Sequence, residues 1–292
     1  MRPVDGGDSG GVNADQVTDP IAEHAEGPVW STSWGGLRWV DMTAGDVLAL
    51  APSGDVDRTH VDRIAAAVRP RLSGGVVIAV ERGFLLEDSN GTTLLLPPVW
   101  SDPTIRMNEG GCAPDGSFYC GSMAYDQRPG AASLYRLDPD HEVSVVLTDV
   151  TVSNGIEWSP DGALAYYNDT ATHRIDVFSW DPDRGLHDRR PFVTIPDEGS
   201  PDGLTVDAEG GVWTALFGGG AVHRYTDRGV LDAVIDVPAG QVTACTFGGD
   251  DLATLFITTS REGLDAGEDP LAGSLFSARP GVSGLPTKAF AG

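Results

Sequence analysis

Two aspartates in this 292-residue chain share the same immediate context, because the tetrapeptide SPDG occurs once around Asp161 and again around Asp202. Their wider surroundings differ. Asn154, followed by glycine, lies seven residues before Asp161, and Glu209, also followed by glycine, lies seven residues after Asp202. Asp202 therefore corresponds to Asn154 in a repeated unit, whereas Asp161 corresponds to Glu209. Only Asp202 is expected to take part in chemistry.

The position held by Asn154 and Asp202, which we call the first position of the repeat, recurs along the chain. The residues predicted to hold it are Glu26, Gly75, Asn108, Asn154, Asp202 and Thr243. Carboxylates that a fold brings together repel one another unless a positive charge lies between them. Oxygen donors of this kind suit Ca²⁺, Mg²⁺ or Mn²⁺ and also accept Zn²⁺. If the fold gathers these side chains, the sequence predicts a site for one divalent cation.

The elements that would position these residues are short β-strands. Runs such as VVIAV, LYRLD and VWTALF are bounded by Gly, Asp or Pro, which is typical of an all-β protein. A unit of about four strands repeats six times, which predicts a six-bladed β-propeller with a metal site at the mouth of its central channel. A β-sandwich array is the competing architecture. The last unit is short of strands, and the segment around 12–25 is the candidate to complete the ring.

Several further interpretations concern local structure. In a propeller the first strand of each blade lines the channel, so the first-position side chains should converge on the axis. The stretch HVDRIAAAVRP at 60–70 looks helical, and a loop covering a sheet edge is the alternative. Asn-Gly and Asp-Gly pairs are also common hairpin turns, so each motif alone leaves a turn open. Asp115, Asp161 and Glu209 are predicted to be turn residues.

Composition and charge exclude several classes of partner. The formal net charge is −24, with 43 acidic against 19 basic residues, which argues against nucleic acids and anionic membranes. No apolar run approaches the roughly 20 residues of a membrane helix. The N-terminus has no apolar segment of a secretory signal, so we expect a cytoplasmic protein. Residues 1–18 are predicted to be a disordered leader and residues 19–292 a single propeller domain, monomeric or weakly homo-oligomeric.

Cysteine and histidine spacing gives no metal motif. Cys112, Cys120 and Cys245 lack CxxC spacing. Cys112 and Cys120 either face each other across a hairpin or are buried free thiols. The histidines are scattered, which disfavours a histidine-rich zinc site.

Six motifs then resemble one family in their order along the chain. They are EGPVW at 26–30, RMNEGG at 106–111, GSM at 121–123, SNGIEWS at 153–159, SPDGLTVDAEGGVW at 200–213 and TTSR at 258–261. This pattern is similar to the regucalcin/gluconolactonase family, which also includes luciferin-regenerating enzymes. The resemblance implies a six-bladed propeller that binds one divalent metal at the channel mouth, with Glu26, Asn154 and Asp202 as its ligands.

The resemblance also implies residues that contact the substrate. The family's Arg-x-Asn pair falls on Arg106 and Asn108. Asp126 lies three residues after the methionine of GSM, where the family often has a longer glutamate. The family often has an aspartate near Asn168 and Asp169, and both support of the metal and a simple strand-end turn remain open for these two residues.

The implied reaction is the hydrolysis of a sugar lactone, an aldonolactone, to the aldonic acid, a step of carbohydrate metabolism. The divalent metal would polarise the carbonyl as a Lewis acid, and Asp202 would assist the attack of water. Two alternatives remain: a hydrolase of a non-sugar lactone or ester on the same metal site, and a non-enzymatic calcium-binding propeller. The pair Arg106 and Asn108 favours an enzyme, because calcium binding alone does not need it.

Overall fold

Six β-sheets form a closed ring in the computed structural model, which describes residues 12–196 and 199–292. The innermost strand of each sheet contacts the innermost strand of the next sheet, and the sixth contacts the first. This cyclic order is that of a six-bladed β-propeller, as the repeat predicted. The sheets are therefore called blades 1 to 6 in the chain order of their innermost strands.

The strand bounds follow the chain order. The first two strands are β1 Val12–Asn13 and β2 Asp15–Gln16. Blade 1 contains β3 Ala25–Ser31, β4 Gly36–Asp41, β5 Asp46–Leu50 and β6 Val56–His60. Blade 2 contains β7 Ala65–Pro70, β8 Val76–Val80, β9 Gly83–Glu87 and β10 Thr93–Leu95. Blade 3 contains β11 Ile105–Cys112, β12 Phe118–Ala124, β13 Ala132–Leu137 and β14 Val143–Val150.

The second half of the ring repeats this arrangement. Blade 4 contains β15 Ser153–Trp158, β16 Leu164–Asp169, β17 Arg174–Asp181 and β18 Gly185–Thr194, with a 3-10 turn at Thr170–Thr172. Blade 5 contains β19 Ser200–Val206, β20 Val212–Phe217, β21 Ala221–Tyr225 and β22 Leu231–Asp236. Blade 6 contains β23 Val242–Gly248, β24 Thr254–Thr259 and β25 Leu275–Ala278.

The N-terminal strands complete the last two blades. Strand β2 pairs antiparallel with β25 as the fourth strand of blade 6, and β1 pairs in parallel with β22 of blade 5. The segment expected to complete the ring therefore does so. Residues 1–11 of the predicted leader lie outside the described residues. For residues 12–16 the expectation of disorder is wrong, because their backbone groups extend the edges of two sheets.

Blade 2 differs from the sequence-based prediction. The helical-looking stretch at 60–70 contains β7, the innermost strand of this blade, and residues 65–68 are fully buried or nearly so. Gly75 lies in the turn after β7 with a φ of +81°, so its assignment to the first position is wrong. Alignment with the other blades gives this position to Ala66. Alanine favours helices in isolation, but it also allows close packing at the crowded axis.

Every innermost strand carries one extra residue at or beside the first position. The partner registers shift between Glu26 and Val29, Ala65 and Ala67, Met107 and Gly110, Ser153 and Ile156, Pro201 and Leu204, and Val242 and Ala244. Such a β-bulge redirects a side chain relative to the regular alternation of a strand. The bulge is thus the backbone feature that sets the direction of the first-position side chains.

Glycines after the first position allow neighbouring blades to approach each other. A Cβ on Gly155 would collide with the backbone of Leu204, and a Cβ on Gly203 would collide with Ala244. An aromatic pair packs across the boundary between blades 3 and 4: Tyr119 meets Trp158 edge-to-face, with ring centroids 5.4 Å apart. The ring is therefore tight at the axis and rigidly packed around the site.

The C-terminal segment crosses the end of the channel where the innermost strands finish. The amide of Phe290 donates to the carbonyl of Pro70 over 2.8 Å, and the amide of Ala291 donates to the carbonyl of Gly116 over 2.9 Å. Lys288 forms an ion pair of 2.8 Å with Glu157 in blade 4. The segment ties together blades 2, 3 and 4 at the end opposite the candidate site.

Two smaller predictions have clear outcomes. Cys112, Cys120 and Cys245 are buried free thiols, and Cys120 pairs with Gly110 rather than with Cys112 in the strand register. No helix within residues 12–196 or 199–292 has the length and apolar character needed to cross a membrane.

Candidate active site

A cavity of about 190 Å³ opens where the innermost strands begin. Four first-position residues line it: Glu26, Asn108, Asn154 and Asp202. The other residues that line it are His24, Arg106, Met123, Gln127, Val152, Thr170, Ser200, Phe217 and Glu262. Five of the six residues predicted for metal or substrate thus share one cavity. A wider, more open surface groove near the N-terminal strands contains none of them.

The two other first positions do not offer an oxygen to the cavity. Ala66 has no polar group. Thr243 is fully buried, and its Oγ1 lies 2.6 Å from the carbonyl oxygen of Ala25 and 2.8 Å from Oγ1 of Thr258. This hydroxyl therefore links blade 6, which contains Thr243 and Thr258, to blade 1, which contains Ala25.

A chain of hydrogen bonds crosses blades 3 and 4 at the cavity. Arg106 donates from Nη1 to Oδ1 of Asn108 over 2.7 Å. Asn108 donates from Nδ2 to Oδ1 of Asn154 over 3.1 Å and to the carbonyl of Ser153 over 2.7 Å. Asn154 in turn donates from Nδ2 to Oγ1 of Thr170 over 2.8 Å. These bonds fix both amide orientations, so that Asn154 retains a lone pair on Oδ1.

The two carboxyl groups at first positions in the cavity have little compensation. Oδ1 of Asp202 is buried and has no hydrogen-bond partner among the described residues. Oε2 of Glu26 accepts a hydrogen bond of 2.9 Å from the amide of Gly27. Burial raises the pKa of Glu26 to about 7, opposed by that amide and by Arg106. Burial, and then the negative charge of Glu26, raise the pKa of Asp202 well above its usual range.

These observations test whether the residues fit a divalent cation. Glu26, Asn154 and Asp202 offer a hard, oxygen-only donor set around one cavity, the type that Ca²⁺ and Mg²⁺ prefer. The unpartnered oxygen of Asp202 and the raised pKa values indicate negative charge that lacks a counter-charge. No three His, Cys, Asp or Glu side chains converge as a metal site within the described ranges. Asn154 is therefore essential to the donor set, and this set of oxygen donors fits a divalent cation.

Sequence reasoning missed several residues of the cavity, among them His24, Gln127 and Glu262. His24 shares Nδ1 between Oγ of Ser260, at 2.7 Å, and Oε2 of Glu262, at 3.4 Å. Burial, together with the charge of Arg106, lowers the pKa of His24 to about 3. The imidazole is therefore neutral at pH 7. The only signals for His24 and Glu262 in the sequence are their positions beside motifs, which are weak signals. His24 lies two residues before Glu26, and Glu262 directly follows the TTSR motif.

Asp126 does not line the cavity, although it was predicted to contact substrate. Its side chain is 65% exposed and forms an ion pair of 2.9 Å with Arg128. The next residue, Gln127, adopts a left-handed conformation with a φ of +53° and lines the cavity instead. The shorter carboxylate at 126 is held outward by its neighbour Arg128.

Asn168 and Asp169 support the strands that carry the site. Asn168 donates from Nδ2 to the backbone carbonyl of Asp202 over 2.6 Å. Asp169 accepts hydrogen bonds from the amides of Thr151, at 3.1 Å, and Val152, at 3.0 Å. The first residue positions Asp202, and the second fixes the loop that leads to Asn154.

Asp161 is a turn residue, as the repeat predicted. Its Oδ1 accepts hydrogen bonds from Oγ of Ser159, at 2.6 Å, and from the amide of Ala163, at 3.1 Å. Asp161 is exposed, whereas Asp202 is buried in the cavity. The two copies of SPDG therefore have different structural roles.

Comparison with protein families gives one match over most of the chain. Residues 24–261 match the family described as the SMP-30/Gluconolactonase/LRE-like region. This range begins at His24 and ends at Arg261, so it contains every predicted site residue.

Individual relatives cover nearly the full length. Regucalcin of Danio rerio is 34% identical over 281 residues, covering 92% of this chain and 95% of that protein. The 6-deoxy-6-sulfogluconolactonase of Pseudomonas putida is 35% identical over 278 residues, covering 91% and 94%. The crystal structure of regucalcin from Agrobacterium tumefaciens, described as a calcium-binding protein, has a TM-score of 0.89 and 28% identity, covering 96% and 98%.

Proposed function

The chain belongs to the SMP-30/gluconolactonase/LRE-like family, and on that premise we propose that it is a lactonase that hydrolyses a sugar lactone to the aldonic acid. The observation that carries the proposal is the hydrogen bond between Arg106 and Asn108 beside buried Asp202 in one cavity. Arg106 is buried and forms no ion pair among the described residues, a costly arrangement that favours a role in binding substrate. The lactonase among the relatives supports the same reaction class.

The proposed metal site consists of Glu26, Asn154 and Asp202, with one divalent cation, Ca²⁺, Mg²⁺, Mn²⁺ or Zn²⁺. Such a cation supplies Lewis-acid polarisation of the ester carbonyl. Glu26 and Asp202 together provide two negative charges, which match a divalent ion. Asn154 offers the remaining lone pair of Oδ1, since Asn108 holds its amide in that orientation.

Asp202 is proposed to be the general base. Its unpartnered Oδ1 would hold the cation, and its second carboxylate oxygen accepts one proton from a water molecule while the water oxygen bonds to the carbonyl carbon. The ring C–O bond then breaks, and the proton passes to the ring oxygen, which leaves as a hydroxyl group. The product is the open-chain acid, so that one water is consumed for each ester bond cleaved. Asn168 holds the backbone carbonyl of Asp202 and thereby its position.

Arg106 and Asn108 are proposed to bind substrate hydroxyl groups in different ways. Both Nδ2 hydrogens of Asn108 are used by Ser153 and Asn154, so Asn108 can only accept a hydrogen bond through Oδ1. Among the described residues, the Nε and Nη2 groups of Arg106 make no hydrogen bond, whereas Nη1 is fully engaged. Arg106 is therefore the donor to the substrate and Asn108 the acceptor.

The two SPDG aspartates provide a matched test. We would strip the protein of metal, add back Ca²⁺, Mg²⁺, Mn²⁺ or Zn²⁺, and follow proton release from a panel of aldonolactones. Asp202→Asn should abolish hydrolysis that Asp161→Asn retains, although both substitutions remove one charge from the same tetrapeptide. Hydrolysis of aryl or acyl lactones but not of sugar lactones would favour the non-sugar hydrolase. Tight cation binding without turnover of any lactone or ester would favour the calcium-binding propeller.

A further inference from the structure

Glu262 holds a negative charge at the rim of the cavity. Its backbone is fixed by two hydrogen bonds: its amide donates to Oγ of Ser260 over 3.0 Å, and its carbonyl accepts from Nε2 of Gln241 over 3.2 Å. Its side chain is 50% exposed and lines the cavity. A rigid backbone with a half-exposed carboxylate places this charge where the substrate must enter.

No cation neutralises Glu262 by direct contact among the described residues. Its one ion-pair partner by distance is His24, at 3.4 Å. The Nδ1 atom of His24 lies closer to Oγ of Ser260, at 2.7 Å, than to this carboxylate. Arg106 is the single arginine or lysine among the residues that line the cavity, and its Nη1 is turned to Asn108. The charge of Glu262 therefore remains effective toward a bound molecule.

The charges deeper in the cavity do not reverse this field. Two carboxylates, those of Glu26 and Asp202, would balance one divalent cation, and the buried Arg106 forms no ion pair with the half-exposed Glu262 among the described residues. A neutral polyhydroxy lactone leaves this balance intact and can donate hydroxyl hydrogens to Glu262. A substituent with a negative charge near the rim would instead meet a like charge at short range, which is unfavourable.

Resting on the proposed function, we propose that Glu262 is a specificity-determining residue that selects lactones with an uncharged chain and rejects lactones that carry a sulfonate, phosphate or carboxylate group. The substrate class is thus a neutral aldonolactone. Glu262 acts on the choice of substrate and takes no part in the bond-breaking step.

Glu23, the ion-pair partner of Arg261, offers a matched control. Its side chain is also 50% exposed, but it is paired with Arg261 over 2.9 Å and does not line the cavity. Glu23→Gln and Glu262→Gln therefore remove the same charge from side chains of equal exposure, and only Glu262→Gln changes the field inside the cavity.

The experiment compares kcat/KM for gluconolactone and for its 6-deoxy-6-sulfo analogue, using the metal-loaded full chain. The native protein should prefer the neutral lactone. Glu262→Gln should shift the ratio toward the sulfonate by roughly tenfold, and Glu262→Arg should shift it further, whereas Glu23→Gln should leave it unchanged. At 1 M salt the native preference should weaken, because the screening length falls to about 3 Å. A loss of structure alone would not produce this dependence on salt.

The outcomes separate the two proposals. If the native protein hydrolyses gluconolactone and both Gln variants keep the native ratio, the role of Glu262 is overturned and the lactonase stands. If the native protein prefers the sulfonated lactone, the role of Glu262 is likewise overturned. If none of the variants or the native protein hydrolyses any lactone, the proposed function fails, and the inference about Glu262 fails with it.

Discussion

Asn108 in blade 3 and Asn154 in blade 4 are joined by a hydrogen bond of 3.1 Å from Nδ2 to Oδ1 across the blade boundary. Asn108 also accepts the bond from Arg106. The residue proposed to contact substrate therefore orients a residue proposed to bind the cation. Substrate binding and cation binding are physically linked, and a change at one should be measurable at the other.

The first prediction concerns this link. Asn108→Ala removes the acceptor of Arg106 and frees the amide of Asn154 to rotate. We expect kcat/KM to fall about 100-fold, as is typical when positioned groups lose their geometry. The affinity for the cation, measured by calorimetric titration, should fall as well. Asn90→Ala, in an exposed turn, is the control and should change neither quantity. A normal cation affinity in Asn108→Ala would contradict the link.

The second prediction concerns pH and the metal-free protein. The pKa of Glu26 is about 7 in the folded protein against an ordinary value of 4.5. Between these two pH values the folded state therefore binds more protons than the unfolded state. Ionised Glu26 therefore destabilises the fold as pH rises from about 4.5 to about 7. Removing the carboxylate by Glu26→Gln should remove this penalty, which is on the order of 3 kcal/mol at pH 8.

The measurement is the difference between two proteins, since other groups titrate in the same range. His24 has the opposite sign: its lowered pKa makes stability rise with pH between about 3 and 6.5. Urea unfolding of native protein and Glu26→Gln at several pH values cancels this contribution. The stability of the variant relative to native should increase with pH. A constant difference from pH 4.5 to 8 would show that Glu26 is not perturbed.

The third prediction concerns Asp169. Asp169→Ala would leave the half-buried amide of Thr151 and the buried amide of Val152 without an acceptor. We expect a loss of about 3 kcal/mol in the free energy of unfolding. Asp161→Ala, which removes an exposed turn acceptor, should cost much less. Denaturant titration of both variants checks this, and equal losses would mean that the loop before Asn154 does not depend on Asp169.

The fourth prediction separates two neighbouring residues. Gln127 lines the cavity, whereas Asp126 points outward to Arg128. Gln127→Ala should raise KM by about fivefold through the loss of one hydrogen bond to substrate. Asp126→Ala should leave steady-state kinetics unchanged. The reverse pattern would mean that the segment after Met123 rearranges when substrate binds.

The sequence predicts the number of blades and most of the axial residues because these depend on local patterns. Turn glycines and short apolar runs recur within each unit, so the six repeats are visible without tertiary information. The exception is blade 2, where the run of alanines around Ala66 has no polar marker and resembles a helix. Placing the first position at Gly75 predicts VVIAV as the innermost strand of this blade, although it is the second one, β8.

The remainder of the site depends on contacts between distant segments. His24 and Glu262 meet because blades 1 and 6 close the ring, and no local pattern encodes that contact. The outward direction of Asp126 depends on its ion pair with Arg128, and family spacing alone does not predict it. Hydrogen bonds that cross blades, such as that from Asn168 to the carbonyl of Asp202, likewise require the folded ring.

The extra residue in each innermost strand has a consequence for how such a site can change. All six strands present the same local backbone, while the side chains displayed there run from alanine to glutamate. The chemistry of the site and its backbone scaffold are thus separable, because the residue at one first position can be exchanged without rebuilding the others. Ala66 and Thr243 hold the first positions that offer no oxygen to the cavity. A metal-binding side chain substituted at either position could give this ring a different metal or a different reaction.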